Sequence, residues 1–265
     1  MTSQHMLTLN TAPGVSFNLD VHQSGSGPDL LFLHGAGGLF PDDPFLAALS
    51  RHFRVHAPLL PGYGTSTGDE HLRNMLDFSL LACDVRDALG LDKPLLVGHS
   101  MGGMIAAEVA AIAPDRVEKL ALICPAGLWL DAHPVADIFA ALPFELPALL
   151  LHDPQAHGAL LSAGGDFNDP EFLTTFLVAN SRRLSTAGKL LFPVPDRGLA
   201  SRLYRVKART SVLWGNSDRL IDPVYADEFV RLLPDASVTR IDAAGHMLPY
   251  EQTDKVLNAL LALHN

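Results

Sequence analysis

The sequence predicts an α/β protein: a mostly parallel, twisted sheet with helices on both faces and one helical insertion. Short runs rich in Leu, Val and Ile alternate with longer amphipathic stretches along most of the chain, the rhythm of parallel strands joined by covering helices. Proline and glycine stand at the joints, where a helix must stop or a strand must turn. Between Pro125 and about Lys207 the rhythm breaks: no run reads clearly as a strand, and Pro134, Pro143, Pro147, Pro154, Pro170, Pro193 and Pro195 divide the segment into short helical pieces.

Taken in order, residues 6–10 are expected to pair ahead of a strand over 15–22, and strands follow over 30–34 and 54–57 with a helix over 44–51 between them. A helical pattern over 70–89 leads to a strand over 95–99, bracketed by Pro94 and Gly98. The helix over 101–113 ends at Pro114, which cannot continue a helix interior. A sixth strand over 117–124 precedes the insertion. Beyond it come a strand over 210–214, a helix over 223–233, a strand over 237–241 and a helix over 250–263. The expected division is therefore a core of residues 1–124 and 208–265 with a helical insertion over 125–207.

Composition narrows the function. The chain has 265 residues, 48% of them hydrophobic, and a mean hydropathy of +0.19, as expected of a folded globular protein rather than a disordered one. A net charge of −10 without a Lys/Arg cluster argues against nucleic acid. The first residues, MTSQHMLTLN, have neither the basic start nor the apolar core of a signal peptide, and no apolar run reaches the ~18 residues of a membrane span. LPALLL at 146–151 is read as lining or packing of the insertion. A cytoplasmic location is expected, and the oligomeric state stays open. Cys83 and Cys124 lie outside any metal-ligand spacing and read as small buried side chains.

The most informative stretch is LVGHSMGG, residues 96–103. A strand that passes at once into a helix bends tightly around the residue between them, so side chains two positions before and after Ser100 would meet neighbouring backbone. Gly98 and Gly102 remove those side chains. The bend displays the Ser100 hydroxyl above the carboxyl ends of the strands and aims the next helix's N-terminal amides at the same space.

Together with HGAGG after the strand over 30–34, PGYGTS at 61–66, WGNSD at 214–218 and AGHMLPYE at 244–251, this makes the chain resemble the α/β-hydrolase superfamily over nearly its whole length outside the insertion. The resemblance implies the α/β-hydrolase fold with a helical cap, and a serine nucleophile served by a histidine and an acid.

A serine hydroxyl needs a base, and a histidine can accept and return its proton near neutral pH. Of twelve histidines, His246 follows the last strand in a small-residue loop at the carboxyl edge of the sheet, and it matches the family's histidine. His34 and His99 adjoin motifs whose family counterparts serve loop architecture. His5, His52, His71, His133, His152, His157 and His264 read as loop histidines without a special task. Asp218, just past the strand over 210–214, stands where the family pattern places the acid; Asp222 reads instead as a helix cap before Pro223. The chain order Ser100, Asp218, His246 agrees with the fold.

The backbone amides of Met101 and Ala36 match the two donors the family uses for an oxyanion, with Gly37 as the alternative to Ala36. PGYGTS reads as architecture. Neither glycine motif has the spacing of a phosphate or dinucleotide loop, so no cofactor and no metal are expected.

Relatives that displace halide or open epoxides carry aspartate at the elbow, so Ser100 favours acyl transfer. The expected substrate is a small or medium apolar carboxylic ester, with Phe139, Phe144, Leu149, Leu150, Leu151, Phe167, Phe172, Phe176 and Leu177 supplying pocket or cap core. Two other readings stay open: a carbon–carbon bond hydrolase of ring-cleavage diketones, and a ligand receptor on a hydrolase fold. Against the second enzyme reading, the diketone hydrolases often carry a longer oxyanion loop and a tryptophan after the histidine, where this chain has HGAGG and Met247.

Overall fold

The computed structural model describes residues 2–142, 144–161, 165–166, 168–192 and 196–265. Pro143, Phe167, Pro193 and Pro195 lie outside the described residues. The strands are β1 (Thr2–Ala12), β2 (Val15–Ser24), β3 (Asp29–Leu33), β4 (Arg54–Pro58), β5 (Leu95–His99), β6 (Lys119–Ile123), β7 (Arg209–Gly215) and β8 (Ala236–Ile241). They form one eight-stranded sheet in the order β1-β2-β4-β3-β5-β6-β7-β8. β2 is antiparallel to β1 and β4, and every other neighbouring pair is parallel.

The helices that flank the sheet are α1 (Pro44–Leu49), α2 (Met75–Ala88) and α3 (Met101–Ile112), then α4 (Leu146–Leu150), α5 (Pro154–His157) and α6 (Pro170–Leu191) between β6 and β7, then α7 (Val224–Leu232), α8 (Leu248–Glu251) and α9 (Thr253–His264). α2 packs against α3, and α1 against α9. The central strands are buried along nearly their whole length, Leu30 to Leu33, Leu120 to Ile123 and Val212 to Trp214 among them. Each fully buried aliphatic side chain stabilises the fold by roughly 1.5–3 kcal/mol, so this region is rigid enough to hold a site at its edge. α3 is buried from Met101 through Ala111; it is apolar but for Glu108, which is paired with Arg202, and such a helix belongs in the interior.

Four expectations are corrected. The segment between β6 and β7 does not hold short helical pieces alone, because α6 runs for 22 residues, with Pro170 in its first turn where proline is tolerated. The first strand runs well beyond residues 6–10, because much of the β1–β2 ribbon is exposed or half-buried and carries polar residues that hide its length in an apolar count. The helix expected over 70–89 begins only at Met75. Asp69–His71 is a separate 3₁₀ turn, and Asn74 caps α2 through the amides of Leu76 and Asp77 while Asp77 answers Asn74. The helix expected over 250–263 is two helices, α8 and α9, divided at Gln252.

Helix α6 is seated on the PGYGTS turn. Gly62 has φ +88°, and a Cβ there would lie 2.0 Å from Thr186 Oγ1. Arg182 donates to Gly64 O and Ser66 O at 3.3 and 3.1 Å. Ser66 itself donates to Leu59 O and accepts from Asp20 N, so the motif braces the chain around β4. Among the described residues, no helix is long and apolar enough to cross a membrane.

Candidate active site

Ser100 sits at the end of β5 with φ 54° and ψ −116°, a conformation costing a non-glycine residue roughly 1–3 kcal/mol. The surroundings hold it there. Its N–H donates to Ile123 O at 2.9 Å, and its carbonyl accepts from Met104 N and Ala126 N, each at 3.1 Å. A Cβ on Gly98 would lie 2.3 Å from Gly102 O, and one on Gly102 would lie 2.0 Å from Leu33 O. Both glycines are therefore required by close backbone approach.

His246 and Asp218 reach the same place from the ends of β8 and β7. A Cβ on Gly215 would lie 2.4 Å from Gly245 O, so the end of β7 and the loop after β8 pack backbone against backbone. His246 Nδ1 stands 2.8 Å from Asp218 Oδ2, and His246 Nε2 stands 2.7 Å from Ser100 Oγ. A carboxylate oxygen only accepts, so Nδ1 carries the ring proton and Nε2 is left to accept from the serine. Asp218 Oδ1 takes the N–H groups of Leu220 and Ile221 at 3.0 and 2.9 Å, which fixes the carboxylate's orientation. All three side chains are buried.

The competing residues fall elsewhere. Asp222 Oδ1 caps the start of α7 through Val224 N, while Oδ2 meets His133 Nδ1 at 3.0 Å. His34 accepts from Leu60 N through Nε2, so its Nδ1–H donates to Gly35 O. His99 donates Nε2–H to His246 O at 2.8 Å, its ring centroid 5.3 Å from that of His246. Burial lowers His34 to about 4 and His99 to about 3.

Both imidazoles are held neutral in the fold, while the unfolded chain takes up their protons near 6.5. Their contribution to stability is complete above that value and is lost as pH falls towards 4 and 3. Asp43 offsets part of this, since burial raises its carboxyl and favours its protonated form in the fold. Thermal melts are therefore expected to fall steadily from pH 7 to 4.5; a constant melting temperature over that range would contradict neutral, buried imidazoles.

Ala36 N makes no hydrogen bond among the described residues, and Met101 N belongs to the first turn of α3, ahead of the helical ladder. Both amides border the serine: Gly35, preceding Ala36, is so close that a Cβ there would lie 3.2 Å from Ser100 Cβ. From Ser100 a cavity of about 60 Å³ extends beneath the segment between β6 and β7, lined by Met104, Leu128, Val135, Phe139, Leu190 and Ile221 among others. Phe139 thus lines the cavity, whereas Phe144 is 76% exposed and Leu177 45% exposed.

Sequence reasoning missed Arg183 and Glu251 near this site, and read Cys124 as a small buried side chain without placing it there. Cys124 (φ 42°) is buried at the end of β6 and forms a cluster with Asp218 and His246, their donor atoms within 4.8 Å of one another. Burial raises its thiol well above the ordinary range, which favours the S–H form. Arg183 places its guanidinium 3.3 Å from Gly37 O. Glu251 is buried beside the His246 loop. Glu251 lies within AGHMLPYE, but Arg183 meets Gly37 and Glu251 meets His152 and Asp153 about a hundred positions or more away, beyond the reach of spacing arguments.

A strained serine raised at the carboxyl edge of a mostly parallel sheet, hydrogen-bonded to a histidine and through it to an aspartate, is the architecture of an α/β hydrolase. The chain belongs to the alpha/beta hydrolase family, whose model matches residues 30–259. A 2-hydroxy-6-oxo-6-phenylhexa-2,4-dienoate hydrolase of Burkholderia cepacia is 29% identical over 279 residues, 96% of this chain and 93% of the relative. A membrane phospholipase A, described as a bacterial virulence factor, superposes with a TM-score of 0.80 at 23% identity, covering 99% of this chain and 86% of its own. Naproxen esterase of Bacillus subtilis superposes at 0.69 and 23% identity, covering 100% and 92%. At these identities the two structures speak for the fold.

Proposed function

We propose that the protein hydrolyses carboxylic esters of small to medium apolar substrates through Ser100, His246 and Asp218. The reading is carried by the two short hydrogen bonds that join these side chains at the mouth of an apolar cavity. In acylation, Ser100 Oγ attacks the ester carbonyl while its proton passes to His246 Nε2. The imidazolium that forms is stabilised and held by Asp218. The amides of Met101 and Ala36 receive the oxyanion, and their fixed position means no reorganisation is needed as charge develops. His246 returns the proton to the departing alkoxide, and an alcohol leaves. Water then attacks the acyl-enzyme with His246 again as base, releasing the acid and free Ser100. Residues 125–207 act as a helical cap whose inner face forms the cavity wall and excludes water. The substrate diffuses in without a cofactor, and turnover takes place in the cytoplasm.

A second reading, cleavage of a carbon–carbon bond in a carboxylate-bearing diketone, is favoured by the activity named for the Burkholderia relative and by Arg183. That guanidinium is half-buried at the oxyanion loop, donating to Asn180 Oδ1 and Gly37 O and lying 5.3 Å from the centroid of the Phe176 ring. The buried Tyr63 hydroxyl, which has no hydrogen-bond partner among the described residues, lies within its electrostatic reach. A substrate carboxylate would satisfy both groups.

The two readings separate on a panel of p-nitrophenyl esters of graded acyl length run beside a ring-cleavage diketone. Strong ester turnover with none on the diketone is expected. Diketone turnover with weak ester turnover would transfer the assignment to the second reading, and inactivity on both would favour a ligand receptor.

A further inference from the structure

We propose that Glu251 is a positioning residue that locks the His246 loop onto the segment between β6 and β7, so that the histidine is aligned only while that segment is seated. The inference rests on His246 being the base for Ser100. The Glu251 side chain is 1% exposed, and its two oxygens face opposite sides of a seam. Oε2 accepts from Gly245 N at 2.6 Å, next to His246. Oε1 accepts from His152 N at 2.7 Å and Asp153 N at 3.3 Å, at the junction of α4 and α5. A buried carboxylate left without these donors would be costly, so all three amides are drawn to one point.

The backbones on the two sides of the seam touch independently of Glu251. A Cβ on Gly245 would lie 2.7 Å from Leu150 O and 2.9 Å from His152 N, and Met247 N donates to Leu150 O at 3.0 Å. His246 is therefore flanked on both sides by residues fixed against 150–153. The aspartate loop joins the same seam, because His152 Nδ1 pairs with Ser217 Oγ at 2.7 Å and Arg219 donates to Ala148 O and Leu151 O. His157 Nδ1, buried without a hydrogen-bond partner among the described residues, stands 3.9 Å from Glu251 Oε1. The division of α8 from α9 at Gln252 ends α8 at this carboxylate.

The test uses the full chain and two readouts that both require attack by Ser100 with His246 as base: kcat and KM on p-nitrophenyl butyrate, and the rate of covalent labelling by a fluorophosphonate. Glu251→Gln keeps the shape but turns an amide NH₂ towards one set of N–H donors. It is expected to lower kcat and the labelling rate by the same factor, roughly 10–100-fold for a displacement of up to an ångström, while KM changes less than threefold. Hydrogen exchange at Gly245, His152 and Asp153 should quicken together. A purely structural role would lower the melting temperature and leave kcat per folded molecule unchanged, which would overturn the proposal. If Glu251→Gln does not melt cooperatively, Glu251→Asp, too short to span the seam, and Gly245→Ala, which forces it apart, are read the same way; wild-type rates in both overturn it. Wild-type protein that takes no label would instead remove the Ser100–His246 reading on which the proposal rests.

Discussion

Ser100→Ala is expected to lower ester turnover by about 10⁴-fold or more while leaving the fold intact. In the proposed mechanism alanine removes the oxygen that forms the acyl bond, and nothing nearby replaces it. Cys124, the other nucleophilic atom in the cluster, is buried with its thiol held protonated. The substitution removes no backbone contact, since the elbow is pinned by the main-chain atoms of residue 100. The residual rate should reflect only binding and the oxyanion amides. Steady-state kinetics with a parallel thermal melt checks this; a variant retaining more than about a hundredth of the rate would show that the serine is not the nucleophile.

Asp218→Asn is expected to be nearly as severe, on the order of 10⁴-fold in kcat, as in serine hydrolases whose acid is amidated. An asparagine can turn its NH₂ towards Nδ1, forcing the ring proton to Nε2 and leaving no acceptor for the Ser100 hydroxyl. It also withdraws the charge that stabilises the imidazolium. Asp222→Asn is the control. That side chain caps α7 and pairs with His133; asparagine keeps the capping oxygen and loses only the exposed charge facing His133, so the change should cost less than about 1 kcal/mol of stability and little activity. Kinetics and denaturant titration on the two variants decide it: a reversal of their effects would reassign the acid.

Much of the core was legible because its signals are local. Gly98 and Gly102 advertise the elbow since only a missing Cβ allows approaches of 2.3 and 2.0 Å. The strands over 95–99 and 210–214 stand out by their LLV and VLW runs because both of their faces are buried. Ser100, Asp218 and His246 could be named because each follows a parallel strand, and parallel strands deliver their carboxyl ends to one edge. Where the signal is not local, the reading failed. β1 is an edge strand whose polar residues mask its length, and the break at Gln252 has no proline or glycine to mark it. His133 and His152, read as loop histidines without a task, tie the segment between β6 and β7 to Asp222 and Ser217. Glu251 meets backbone amides almost a hundred positions away, which no pattern within AGHMLPYE could reveal. Exposure separates the aromatics of the segment between β6 and β7 as well: Phe139 and Phe144 are alike in sequence, and only the fold turns one inward.

The most direct measurement is the mass of the trapped intermediate. Acid-quenched enzyme from the first turnover of a p-nitrophenyl ester, digested and mapped by mass spectrometry, should carry the acyl group on Ser100 alone. An acyl group on any other side chain, or full turnover with no covalent species at all, would contradict the account.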